Sequence, residues 1–277
     1  MNTKEKNKKL HLGCVFSGGG FRGVAHIGVI KAMEEVGIKF DAVSGVSAGA
    51  LVASMYAAGK PWEKIYEMFS GINIFNVTKY AYRKPGILDT EKFIDYLNEY
   101  LPESAFDDLK IPLYIGATDM LNGEFKIFNG GQLTRRILAS CAFPFVFTPI
   151  EIDGSIYSDG GIINNFPVEP IAKTCKRVLG VYVNPVRPIG RKELNSSVKV
   201  LERAFYLSTS QIPYSKFKKC DFVIEPLQLS EYNIFDRRNV EKIFELGYYE
   251  GVAIRNKIKD TIGASTGELT KLDINLN

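Results

Sequence analysis

Histidine is almost missing from this chain. It occurs twice in 277 residues, at His11 and His26. An ordinary Ser-His-Asp triad therefore has few places to find its base. Cysteine is sparse as well. Cys14, Cys141, Cys175 and Cys220 lie far apart and form no C-x-x-C pair, which argues against a zinc site. A reducing compartment is the simpler setting for such a set, with Cys14 and Cys141 reading as buried thiols within apolar runs. Long hydrophobic runs are also absent. The first, Leu10 to Phe16, is broken by His11 and Gly13 and leads into three glycines, so it is too short for a signal peptide. No later run reaches the ~18 apolar residues of a membrane span. These gaps predict a cytoplasmic protein that is soluble yet free to touch a membrane surface. The formal charge of +4 is mild and does not suggest a nucleic-acid partner. Repeats, low-complexity blocks and linkers are lacking too, so one domain is expected over 11–258. A polar tail at 1–10 precedes it and another at 259–277 follows.

What is present centres on Phe40 to Leu51, FDAVSGVSAGAL. Ala42 and Val43 end a short apolar strand. Gly45-Val46-Ser47-Ala48-Gly49 fits G-x-S-x-G, and a helix-forming run follows. Strand, tight turn and helix are the context of a nucleophile elbow. Ser47 would stand above the sheet edge, at the start of a helix whose amides favour developing negative charge. The alternative is a Gly-rich turn whose serine caps the helix. The pentapeptide alone does not choose between them.

Apolar strands alternate with helical periods along the chain. Leu12 to Phe16 precedes a glycine loop and a helix over Val24 to Val36. Strands follow at Pro112 to Thr118, Glu124 to Phe128, Ser155 to Tyr157, Val178 to Val183 and Phe222 to Ile224. Helices are expected at 90–101, 133–142, 168–174, 196–210 and 240–258, among others. This order predicts an α/β fold with a mainly parallel central sheet and helices on both faces.

Gly18 to Gly23 also matches G-x-G-x-x-G, the dinucleotide fingerprint, and Asp41 lies where a ribose-binding acid is spaced. That reading fails on position. Asp41 precedes its strand, and the carboxyl end of the strand carries the elbow instead. The loop and Ser47 should then face each other at the carboxyl edge of the sheet. Loop amides from Gly18, Gly19 and Gly20, with that of Ala48, would serve an oxyanion. Arg22 reads as a brace for the loop, a headgroup contact or a plain surface arginine.

The base is a counting problem. His11 sits at the wrong end of the sheet. His26 rides the first turn of a helix beside Ala25, as a packing or loop-bracing residue would. That leaves a carboxylate. Asp159 ends a short strand and is followed by Gly160 and Gly161, although Asp-Gly is also an ordinary turn. An aspartate near its usual ~3.9 is a weak base for an alcohol, so burial or concerted transfer must compensate.

Four stretches occur together in order: SGGGFRGVAHIGV, GVSAG, ASCAFPFVFTPI and SDGGIINNFPV. Together, and with CDFVIEPL and FELGYYEGVA near the C-terminus, they resemble the patatin-like phospholipase family over about residues 11 to 255. The resemblance implies a three-layer α/β fold and a serine lipid acyl hydrolase with a Ser-Asp dyad. It carries the nucleophile to Ser47, the base to Asp159 and the oxyanion amides to Gly18, Gly19 and Gly20. No metal or cofactor is implied, and the partner is a lipid or other acyl ester, met at a membrane surface for a short time. Phe143, Phe145, Val146 and Phe147 are candidates to line an acyl channel, with 71–88 as its cover. Lys79, Arg83, Lys84, Lys216, Lys218 and Lys219, interleaved with Tyr80, Tyr82, Tyr214 and Phe217, could rest on anionic lipid or form a solvated face. Two readings without hydrolysis stay open: a nucleotide-binding module using the glycine loop, and a lipid-binding pseudoenzyme.

Overall fold

The computed structural model describes residues 9–72, 85–102, 105–235 and 237–272. Eight strands form one sheet: β1 (Leu10–Phe16), β2 (Ala42–Val46), β3 (Leu113–Asp119), β4 (Glu124–Phe128), β5 (Ile150–Ile152), β6 (Ser155–Asp159), β7 (Cys175–Val181) and β8 (Phe222–Ile224). Their order is β5-β6-β3-β2-β1-β7-β8, with β4 paired to β3 off this path. β3, β2, β1, β7 and β8 run parallel to their neighbours in that order. The β3–β4, β3–β6 and β5–β6 pairs are antiparallel. The sheet is thus mixed and mostly parallel.

Helices cover both faces because the central strands are apolar on both. β2 is buried along its whole length, and β1 is buried from Leu12 onward. The larger core lies under helices Val24–Glu34, Ala48–Ala57 and Val240–Leu272. A smaller one packs Val15, Phe166, Ile171 and Tyr182 beneath helix Val168–Thr174 and Phe217. This is the three-layer α/β arrangement expected.

Three boundaries differ from expectation. The last helix continues through Leu272, beyond the expected end of the domain at 258; Ile258 is fully buried and Ile262 still packs on the core. β1 begins at Leu10, inside the expected N-terminal tail. The strand at β6 is the second arm of a hairpin with β5, joined by Asp153 (φ 51) and Gly154 (φ 81). Among the described residues no helix is long and apolar enough to cross a membrane.

Candidate active site

The elbow is built by close backbone approach. A Cβ on Gly45 would sit 2.3 Å from the Gly49 carbonyl oxygen, and one on Gly49 would sit 2.3 Å from that of Phe16. Only glycine fits either place, so the helix after Ser47 packs directly onto β1 and the glycine loop. Ser47 itself is held at φ 53, ψ −125, a conformation L-residues rarely adopt. The surroundings enforce it. The Ser47 amide donates to Ser140 Oγ at 2.9 Å, and Ser140 Oγ donates in turn to the Gly116 carbonyl at 2.6 Å. The Ser47 carbonyl accepts from the amides of Ala50 and Leu51 and from the Cys141 thiol at 3.3 Å.

Register explains how Asp159 reaches the same edge. Val46 in β2 pairs with Gly116 in β3, and the next β3 residue, Ala117, pairs with Asp159 in β6. Ser47 and Asp159 therefore end up at nearly the same height, flanking β3. Because β6 runs antiparallel, it enters from beyond the carboxyl edge and stops at that height. Asp159 is buried. Its Oδ1 accepts from the Gly161 amide at 2.7 Å, while buried Oδ2 has no fully formed hydrogen bond within the described residues. Burial pushes its carboxyl up to about 6, against smaller lowering contributions from the Ser47 hydroxyl and the Gly161 amide. Ser47, Asp159, Gly19 and Gly20 border one small cavity.

The glycine loop offers fewer donors than expected. The Gly18 amide already donates to Asn165 Oδ1 at 3.1 Å, and Asn184 Nδ2 donates to the Gly18 carbonyl. A backbone N–H so committed is not available to an oxyanion. Gly18 shapes the loop, and Gly19 and Gly20, with Ala48 at the helix start, are the residues facing the cavities. Asn165 and Asn184 are site residues that sequence reasoning passed over. Asn165 lies inside a stretch singled out for its Asp-Gly-Gly, but nothing local shows that its side chain clamps a loop 147 positions away. Replacing Asn165 with alanine should lower kcat by about 10²-fold through a displaced loop. KM should change much less. Asn165→Asp, which keeps the acceptor, should recover part of the rate; separate kcat and KM values on a soluble ester check this.

Arg22 is a brace and not a surface arginine. Its buried side chain donates from Nε to the Tyr232 carbonyl and from Nη1 to Tyr206 Oη, each at 2.8 Å. His26 is fully buried. Its Nε2 donates to the Ser17 carbonyl at 2.8 Å, beneath the start of the loop, and burial lowers its pKa to about 4. It does not border the cavities at Ser47. Asp41 is committed at the opposite edge of the sheet, where its Oδ2 accepts from the amides of His11 and Leu12. The ribose acid of a dinucleotide site is thus far from the glycine loop.

Ser47 also opens onto an apolar cavity lined by Leu51, Phe69, Leu138, Phe143 and Phe147, with Cys141 among them. Of the four expected channel residues, Phe143 and Phe147 line it. Phe145 is 61% exposed, with φ 71, and Val146 is not part of the lining. Cys141 is partly buried and borders this cavity. Most of the expected cover, residues 73–84, lies outside the described residues. Of the three lysines at 216–219, Lys216 and Lys219 pair with Glu169, and Tyr214 and Phe217 stack around Tyr182, while Lys79, Tyr80, Tyr82, Arg83 and Lys84 lie outside the described residues.

A three-layer α/β sheet with an elbow serine at its edge, facing a glycine loop, defines the class. The sequence pattern of the patatin-like phospholipases matches residues 14–172, and the chain belongs to that family. An uncharacterized NTE family protein of Mycobacterium bovis is 38% identical over 159 residues, 56% of this chain and 43% of that protein. Lysophospholipase NTE1 of Saccharomyces cerevisiae is 31% identical over 179 residues, 62% of this chain and 11% of its own. The matched region is thus less than half the length of either relative. Among solved structures, VipD from Legionella pneumophila has a similar fold, with a TM-score of 0.61 at 13% identity over 90% of this chain and 67% of that one. So does human group IVD cytosolic phospholipase A2, solved with a methyl γ-linolenyl fluorophosphonate inhibitor: TM-score 0.53, 10% identity, 95% and 60% covered.

Proposed function

We propose that the protein is a serine lipid acyl hydrolase that cleaves fatty-acyl esters through Ser47 and Asp159. Ser47 Oγ attacks the ester carbonyl while Asp159 takes its proton. The amides of Gly19, Gly20 and Ala48 stabilise the tetrahedral oxyanion. Protonated Asp159 gives the proton to the departing alcohol, leaving an acyl-Ser47 ester. Asp159 then draws a proton from water as that water attacks the ester carbonyl, and passes it to Ser47 Oγ as the acyl–oxygen bond breaks, which frees the fatty acid and restores both groups. Each step is a proton transfer or a charge stabilised by the chain's own groups, so the scheme calls for neither metal nor cofactor.

The observation that carries this reading is the double exposure of Ser47. On one side it shares a small cavity with Asp159 and two loop glycines, and on the other it opens onto the apolar cavity. An acyl chain fits the second and a reacting ester the first. Exposed Phe145, Ile87 and Phe235, the last also lining the apolar cavity, support an encounter at a lipid surface.

A fluorophosphonate probe should label the protein at Ser47, and a lysophospholipid panel should release fatty acid. The pH profile adds a sharper test. Asp159 works only when ionised, so kcat/KM should climb with pH, reach half its plateau near 6 and be about tenfold lower at pH 5. No labelling and no release would point to an idle lipid-binding relative. A profile without an inflection near 6 would remove Asp159 as the base.

A further inference from the structure

Behind the glycine loop lies a second polar cavity, bordered by Arg22, Arg187, Lys199 and Arg203 and by two carboxylates, Glu193 and Glu231. The charges do not cancel. Arg187 is taken by Glu193, with Nη2 to Oε2 at 2.5 Å and Nη1 to Oε1 at 3.3 Å. Arg203 donates from Nη2 to a neutral acceptor, the Arg187 carbonyl, at 2.8 Å. Buried Arg22 donates only to neutral acceptors, Tyr232 O and Tyr206 Oη. The Lys199 ammonium is exposed and pairs with no carboxylate among the described residues. Three cations thus border one cavity without a carboxylate bonded to them among the described residues. A buried guanidinium without a counter-anion is a costly arrangement that a bound anion relieves.

The cavity also touches the site at Ser47. Tyr206 and Ile234 line both this cavity and the one holding Ser47 and Asp159. The Tyr206 ring is close to two guanidinium groups, with Arg22 Cζ 5.2 Å and Arg203 Cζ 5.9 Å from its centroid. One ligand can therefore present an ester on the Ser47 side of Tyr206 and an anion on the other.

We infer that this cavity binds a phosphate group, with Lys199 and Arg203 as its direct partners and Arg22 supplying charge from the wall. Arg and Lys suit a phosphate because they offer several charge-assisted donors to its oxygens. Two sources share that chemistry: the headgroup phosphate of the lipid being cleaved, and free phosphate. The headgroup version rests on the hydrolase reading above, whereas binding of phosphate itself does not.

The test compares a lysophosphatidate with a monoacylglycerol of the same acyl chain, for the full chain and for Lys199→Gln and Arg203→Gln. Exposed Lys199 makes no side-chain hydrogen bond or ion pair among the described residues, so its variant guards against misfolding of the other. The ratio of kcat/KM between the two esters should fall about tenfold in each variant, the loss of one charge-assisted contact. Binding of inorganic phosphate to Ser47→Ala protein, followed by calorimetry at fixed ionic strength, should weaken by a similar factor when either cation is removed. If phosphate competes with the lysophosphatidate and leaves the monoacylglycerol untouched, the headgroup is the source. If it alters both esters equally, free phosphate is the ligand. A ratio near one that neither variant moves, with no phosphate binding, overturns the site. Loss of all ester cleavage and of Ser47 labelling, with phosphate still bound, would sink the hydrolase reading and leave the anion site standing.

Discussion

Ser47→Gly should be inactive and more stable than the parent. Losing the nucleophile removes the acyl-enzyme route, so turnover should fall by about 10⁴-fold or more, and fluorophosphonate labelling should vanish. Ser47→Ala should match it on both counts. The two variants should part in stability. Ser47 is held at φ 53, ψ −125, where a Cβ is unfavourable and glycine is at ease. Relief of that strain should raise the unfolding free energy of the glycine variant by about 1–2 kcal/mol, read from the denaturant midpoint. Alanine keeps its Cβ and should gain nothing of the kind. Equal stability of the two would mean that Ser140, Cys141 and the helix start do not strain the elbow. Residual labelling in either variant would place the nucleophile elsewhere.

The second large effect is expected at Asp159→Asn. Turnover should drop by several powers of ten, because an amide cannot accept the Ser47 proton. The fold should be strengthened at the same time. Raising a carboxyl from its ordinary 3.8 to about 6 corresponds to roughly 3 kcal/mol against the charged form in the folded state. The sign follows from linkage. A group with a raised folded pKa stabilises the fold below pH 3.8, and that contribution is lost as pH rises through 6. The asparagine variant is spared this loss. It should therefore be more stable than the parent by up to about 3 kcal/mol at pH 8, with the advantage gone by pH 4. Asparagine keeps an oxygen for the Gly161 amide, so the local turn survives. Denaturant unfolding at both pH values decides the matter. An advantage independent of pH would have some cause other than the buried charge, and retained turnover would take Asp159 out of the chemistry.

Much of this arrangement was readable before any coordinates. Short apolar runs set the parallel strands, and Gly45 and Gly49 announced a backbone too crowded for side chains. The two histidines could be discounted by position, and the structure places both away from the cavities at Ser47. Direction was not readable. β6 is five residues long, and nothing within Ser155 to Asp159 says that it runs against β3; that choice is made by pairing across the sheet. A closer look at Asp153-Gly154 between two short alternating arms would have revealed the hairpin, since such a dipeptide favours the tight turn seen there. The commitment of the Gly18 amide was hidden for a different reason, because its partner comes from a distant part of the chain. The role of Arg22 stayed open between brace, headgroup contact and surface residue because its acceptors, Tyr206 and Tyr232, arrive from beyond residue 200.

The imidazole packed beneath the glycine loop has a bearing on life in acid. His26 is neutral in the fold with a pKa of about 4, so acidification from 6.5 towards 4 charges the unfolded chain first and pulls it open, by roughly 3 kcal/mol. Over nearly the same interval Asp159 pushes the other way by a similar amount. The two slopes nearly cancel. In the proposed mechanism acid stops the reaction by protonating Asp159, and these two groups together add almost no net pull towards the unfolded chain.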